Sequence, residues 1–233
     1  VYSGNGGHGI RGVLGGTDGS IAGTLADVRV ESNGAGGVLM DCPRVDVAFR
    51  GGSSSGNGGD GVALGPSAGG GGGAGKVKFE EFDSSSNTGS GISVTGEFSV
   101  SFDRCEASAN DADGVRIVAP DMIVAPDMRA SGIVHRDIAA RNVRASGNGG
   151  HGFSFSILPT GNTGPSPFSS VDLSSIVCGG NGGSGVRVDV RLGDAVLPSS
   201  VTIAQSDCPN NGANGAEVFA GSCVVRSSSA TGN

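Results

Sequence analysis

The sequence predicts an all-β chain wound as a parallel β-helix of about eight coils, and three observations predict it. An asparagine recurs at Asn5, Asn33, Asn57, Asn87, Asn110, Asn148, Asn181 and Asn211, at intervals of 28, 24, 30, 23, 38, 33 and 30 residues. Self-similarity at about 20–50 residues marks a solenoid, because each unit buries its apolar face only against its neighbours. Around each asparagine, apolar and polar residues alternate at the period of a strand. Glycine fills 46 of 233 positions and no stretch sustains a helical spacing, which argues against helices.

The elements can be justified in chain order. Ile10 stands five residues after Asn5, and Val38 with Met40 stand five and seven after Asn33. Val62 and Leu64 repeat that pair after Asn57, each pair being the inward half of a short strand. A "SAGGGGGAGK" run at 67–76 then reads as loop by composition. Val77, Phe79 and Phe82 precede Asn87 by ten, eight and five residues, and Ile92 and Val94 come after it. Val100, Phe102, Cys105, Val115 and Ile117 fill the same frame around Asn110. The hexapeptide Ile117–Met122 is repeated at once as Ile123–Met128, a tandem duplication expected to bulge. Ile138, Ala140, Val143, Phe153 and Phe155 frame Asn148, and "LPTGNTGPSP" at 158–167 is a third, proline-punctuated insertion. Val171, Leu173, Ile176, Val186 and Val188 complete the frame around Asn181. The expectation is one domain over 1–233, with loop insertions near 65–76, 117–132 and 157–170.

In such a stack the asparagines fall above one another. A side-chain amide holds both donor and acceptor, so the eight form a structural hydrogen-bonded ladder that tolerates turn backbone. Glycine stands at plus four from each (Gly9, Gly37, Gly61, Gly91, Gly114, Gly152, Gly185, Gly215), where it serves either a positive φ or close backbone approach. Eight coils at the strand spacing make a rod of roughly 35–40 Å.

The strings "SGNGGHGI" at 3–10, "SGNGGDGV" at 55–62 and "SGNGGHGF" at 146–153 resemble the repeats of the pectate lyase-like superfamily. That resemblance implies a right-handed parallel β-helix over nearly the whole chain. It constrains activity little, since the superfamily includes lyases, hydrolases, epimerases, tailspikes, adhesins and surface proteins.

Net charge is −7 with two lysines, Lys76 and Lys78, so no basic track for nucleic acid or anionic lipid is expected. No apolar run approaches the ~18 residues of a membrane span. The chain opens inside a repeat and closes on what reads as the lead-in to another, which suggests a segment of a longer solenoid whose free strand edges pair with further coils or identical subunits end to end. Cys178 and Cys208 each sit three residues before an asparagine in adjacent coils. They are either a disulfide or a pair of reduced, buried thiols. Cys105 takes a core position, Cys42 and Cys223 have no evident partner, and none has metal-ligand spacing.

Strings that look like chemistry mostly dissolve into the repeat. "HRDIAARN" at 135–142 is similar to the catalytic loop of tyrosine kinases, but no D-F-G exists and Ile138, Ala140 and Val143 fall on repeat core positions. Gly52-Ser53-Ser54-Ser55-Gly56 matches a nucleophile elbow without the strand-turn-helix context that elbow needs. Two constellations remain. At plus three stand His8, Gly36, Asp60, Ser90, Asp113, His151, Ser184 and Asn214; Asp113 and His151 in successive coils are close enough for an acid–base pair, but the spread of residue types favours a solvent-facing turn position that takes any polar or small residue. Asp103, Arg104 and Glu106 lie near Arg144 and Asp137 in the frame, a carboxylate–arginine cluster of the kind polysaccharide enzymes of this fold use. Tryptophan is absent and Tyr2 is the one tyrosine, so aromatic sugar platforms are scarce.

The expected function is a non-enzymatic extracellular or cell-surface module, structural or adhesive, with no cofactor. The alternative is a lyase or C-5 epimerase acting on acidic polysaccharide with calcium. A second alternative is passive glycan binding.

Overall fold

The computed structural model describes residues 1–14, 19–65, 74–120, 136–158, 169–192, 195–196 and 199–233. Among these the chain is all-β, without helix. Two sheets of eight parallel strands dominate. Sheet 1 comprises Ile10–Val13, Val38–Asp41, Val62–Leu64, Ile92–Thr95, Val115–Pro120, Phe153–Leu158, Val186–Asp189 and Ala216–Phe219. Sheet 2 comprises Ser20–Ala26, Arg44–Arg50, Ala74–Glu80, Glu97–Asp103, Arg136–Arg141, Ser169–Ser174, Ser199–Ala204 and Ser222–Arg226. In both, each strand pairs with its counterpart one repeat away, as in a solenoid. A third side starts as sheet 3, Tyr2–Ser3, Arg29–Glu31 and Ser53–Ser55. It continues as single bridges from Ser53 through Asp83, Glu106, Arg144, Val177 and Asp207 to Ser229.

Register puts the predicted apolar positions inside. Val77, Val100, Ile138, Val171 and Val201 form one buried row of sheet 2, and Phe79, Phe102, Ala140, Leu173 and Ile203 the next. Three rings stack along the second row: Phe49 on Phe79 at 4.7 Å and Phe79 on Phe102 at 5.1 Å between centroids, both nearly coplanar. Phe102 then meets Phe153 edge-on across the core. Where the row narrows to Ala140, the sheet 1 phenylalanines Phe153 and Phe155 supply the volume.

The asparagines stack as a continuous ladder. Each Nδ2 donates to the Oδ1 of the next repeat, from Asn5 to Asn33 (2.9 Å), Asn57 (2.9 Å), Asn87 (2.9 Å), Asn110 (3.1 Å), Asn148 (3.1 Å), Asn181 (3.0 Å) and Asn211 (2.9 Å). Each Oδ1 also accepts the backbone N–H of the preceding asparagine, as Asn87 does from Asn57 at 3.1 Å. In Asn33, Asn57, Asn87, Asn110 and Asn211 the amide nitrogen also reaches a carbonyl, for example Ser54 O from Asn87 at 3.0 Å. Asn33 to Asn211 are 1–4% exposed, so this satisfaction is what makes their burial tolerable. The ladder runs one rung further than the repeat frame indicates, because Asn211 donates to Asn233 at 3.0 Å.

Of the two reasons for glycine at plus four, the structure selects close approach. A Cβ on Gly91 would lie 2.6 Å from Ser84 O and 2.7 Å from Gly114 O. Left-handed backbone occurs elsewhere, at the residue before each asparagine (Ser32, Ser86, Ala109, Asn210 and five glycines) and six before it (Asp27, Glu81, Arg104, Asn142, Ser175, Gln205, Ser227 and Gly51). These are the two corners of each repeat.

The predicted insertions lie largely outside the described residues. Apart from Gly65, a bend, their described parts are strand: Ala74–Lys76 and Ser169–Ser170 open sheet 2 strands, while Ile117–Pro120 and Ile157–Leu158 extend sheet 1. The kinase-like string is likewise strand from Arg136 to Arg141, with Ile138 and Ala140 buried. Ser54 of the elbow-like string is fully buried, its hydroxyl donating to Gly61 O at 2.6 Å.

Candidate functional site

The corner six residues before each asparagine turns the chain from sheet 2 to the third side. At minus five a buried residue plugs the bend (Phe82, Cys105, Val143), so residues on its two flanks rise around a shallow trough. An open groove of about 400 Å³ crosses three repeats there, lined by Glu81, Asp83, Arg104, Glu106, Asn142 and Arg144 over a floor of Phe82 and Cys105. The left-handed φ of Glu81, Arg104 and Asn142, near +54°, aims these three outward from the corner. Bridge pairing of Asp83, Glu106 and Arg144 aligns the opposite wall.

The electrostatics are those of a mixed-charge surface. Arg104 is shared between Glu81 (Nη2–Oε1 2.8 Å) and Asp103 (Nη1–Oδ2 2.8 Å). Asp83 accepts the Ser85 hydroxyl at 2.5 Å. Burial pushes the Cys105 thiol up, and its Sγ donates to Asp103 O at 3.4 Å, so it packs into the floor as a thiol.

The predicted site residues separate into two places. Arg104, Glu106 and Arg144 do meet in the groove. Asp103 borders it through its ion pair, on the exposed row of sheet 2 beside Arg141 in register. Asp137 lies apart, accepting the Ser170 hydroxyl at 2.6 Å on the outer face of sheet 2. Sequence reasoning missed Glu81 and Asp83. The frame could have found them, since they occupy in the preceding repeat the positions of Arg104 and Glu106.

Asp113 and His151 fall at the other turn, past the ladder, where both side chains bond to turn amides. They are adjacent, and Asp113 Oδ1 accepts the backbone N–H of His151 at 2.7 Å. The imidazole Nδ1 accepts Ser184 N–H at 2.9 Å, and its Nε2 lies 3.5 Å from Arg187 Nη1. Two further members of the plus-three column use this device: His8 Nδ1 accepts from Gly36 N (3.1 Å) and Asp60 Oδ1 from Ser90 N (2.7 Å). At these four turns an amide points along the stack, and the histidine or aspartate of the neighbouring repeat satisfies it. Burial pushes the Asp60 carboxyl up, partly offset by the Ser90 N–H and by Arg116.

Cys178 and Cys208 stand in adjacent repeats as free, buried thiols. Among the described residues no group of three His, Cys, Asp or Glu side chains could hold a metal ion. The groove therefore does not fit the calcium that an acidic-glycan enzyme would use: Glu81 is held by Arg104 and Asp83 by Ser85.

No known family matches this chain, and neither a curated protein nor a solved structure is found similar to it.

Proposed function

We propose that this chain is a right-handed parallel β-helix of about eight coils that works as a non-enzymatic structural or adhesive rod outside the cell. The supporting observation is the continuity of its axial bonding. Two parallel sheets, a column of bridges and an asparagine ladder tie every repeat to the next, and the plus-three column adds side-chain-to-backbone bonds at several of its turns. Handedness and kinship to the pectate lyase-like repeats rest on the resemblance of the "N-G-G-x-G" strings. A supporting detail is the last row of sheet 2. Val225 is 58% exposed, while its register partner Ile203 is 2% exposed, an apolar side chain of the kind an adhesive surface uses.

The test is sedimentation velocity together with electron microscopy on purified chain across a concentration series. The rod reading expects elongated particles that grow by end-to-end association. Compact monomers at all concentrations would count against association.

A second reading, glycan recognition or processing, is favoured by the groove and its Glu81, Asp83, Glu106, Arg104 and Arg144 walls. Incubation with pectin, alginate and related polymers, with and without calcium, separates the readings. New unsaturated or reducing ends, or epimerised residues, would defeat the structural one.

A further inference from the structure

The position three residues before the ladder asparagines from Asn33 to Asn211 is a second buried column, and its chemistry changes along the chain. Ser54 and Ser84 donate their hydroxyls to the carbonyls of Gly61 and Gly91 at 2.6 Å, and Ala107 and Ala145 fill the next two places. Cys178 and Cys208 come next, 0% and 3% exposed. Their neighbours Val177 and Asp207 form a parallel bridge, and Cys178 N donates to Asp207 O at 2.9 Å. Residues in register on neighbouring parallel strands lie about 4.8 Å apart, inside the Cα separation that a disulfide spans. The two thiols sit close enough to be coupled: Cys208 and burial push the Cys178 thiol up, while the Cys178 thiol holds that of Cys208 down. Elsewhere Cys42 and Cys105 direct their Sγ–H to backbone carbonyls, and Cys223 is exposed.

We propose that Cys178 and Cys208 are an oxidation site, joined by a disulfide between neighbouring repeats when the chain folds with a small-molecule disulfide of the oxidised-glutathione class. The Cys208 thiolate attacks one sulfur of that disulfide, forming a mixed disulfide and releasing one small thiolate. Cys178 then attacks the Cys208 sulfur, closing the protein S–S bond and expelling the second small thiolate, which takes the Cys178 proton. Two protein thiols lose two electrons and two protons, and two small thiols carry them away. Both sulfurs are sealed in the folded chain, so exchange takes place while the repeats are still open.

The experiment uses the whole chain, reduced, unfolded and refolded in a buffer of oxidised and reduced glutathione, then mapped by non-reducing peptide mass spectrometry. The expected product has three titratable thiols instead of five and a peptide linked through Cys178 and Cys208. The crosslink should raise the melting temperature by roughly 5–10 °C, because it closes a 30-residue loop in the unfolded chain. C178A and C208A, which place an alanine where the column already carries Ala107 and Ala145, should each keep all four remaining thiols. Five thiols after refolding, a link through Cys223, or loss of thiols in either variant would overturn the proposal.

Discussion

Asn87 is the most direct place to test the ladder. Its Oδ1 accepts the Asn57 backbone N–H (3.1 Å) and the Asn57 Nδ2 (2.9 Å), and its Nδ2 donates to Asn110 Oδ1 (3.1 Å) and Ser54 O (3.0 Å). Asn87→Ala leaves two donors of Asn57 without this acceptor in a site 2% exposed. At about 1–3 kcal/mol for each buried orphan donor, the loss is about 2–6 kcal/mol. Asn87→Asp keeps the shape but sets a carboxylate oxygen against two acceptors, so at neutral pH it should cost more than alanine. That carboxyl is harder to ionise folded than unfolded. Its penalty is therefore absent below the unfolded carboxyl range and grows as pH rises through the folded value. Urea titration of both variants between pH 4 and 7, monitored by circular dichroism, gives the ordering. Hydrogen exchange should place the damage in Val62–Leu64, Ile92–Thr95 and Val115–Pro120, since repeat stability is set by nearest neighbours. A loss under about 1 kcal/mol for alanine, or an aspartate variant no worse than alanine at pH 7, would refute the idea that rung hydrogen bonds hold the stack.

The same geometry sets three further expectations. Gly91→Ala drives a Cβ between Ser84 O and Gly114 O, two backbone atoms with no room to yield, and should cost about 3 kcal/mol in chemical denaturation. Ala109→Gly should stabilise by about 0.5–1 kcal/mol, because Ala109 holds a φ of +57° where five other repeats use glycine. Asp60→Asn keeps the acceptor for Ser90 N–H and removes a carboxyl that burial pushes up. Since the folded carboxyl protonates more readily than the unfolded one, wild-type stability should fall as pH rises from the acid side through that group's folded range. A melting-temperature profile of the variant should lose that fall.

What was legible in the sequence was whatever repeated with a hydropathic signature. Asn87 with Val77, Phe79, Ile92 and Val94 declares a strand, a turn and a strand, and the structure puts each where that frame requires. Asn233 was missed because the frame recognises an asparagine by the glycine and apolar residues on its C-terminal side, and Asn233 is the last residue of the sequence. The third side was hard to anticipate because its bridging positions, Ser53, Asp83, Glu106, Arg144, Val177, Asp207 and Ser229, share no chemical character; only backbone register joins them. Half the groove was overlooked because its residues were read along the chain and not across repeats. Arg104 and Glu106 looked like a cluster from adjacency, whereas Glu81 and Asp83 arrive from 23 residues earlier. Asp113 and His151 are neighbours as their spacing indicates, and what the spacing did not show is that the carboxylate takes up a turn amide.

All the rung amides face the same way, nitrogen toward the higher-numbered repeat and oxygen toward the lower. Their dipoles accordingly add along the axis, and each bond polarises the next. Two such stacks meeting nose to nose would set oxygen against oxygen, or nitrogen against nitrogen. Growth by adding units, whether through gene duplication or by one molecule seating on another, is therefore vectorial: the fold itself has an arrowhead.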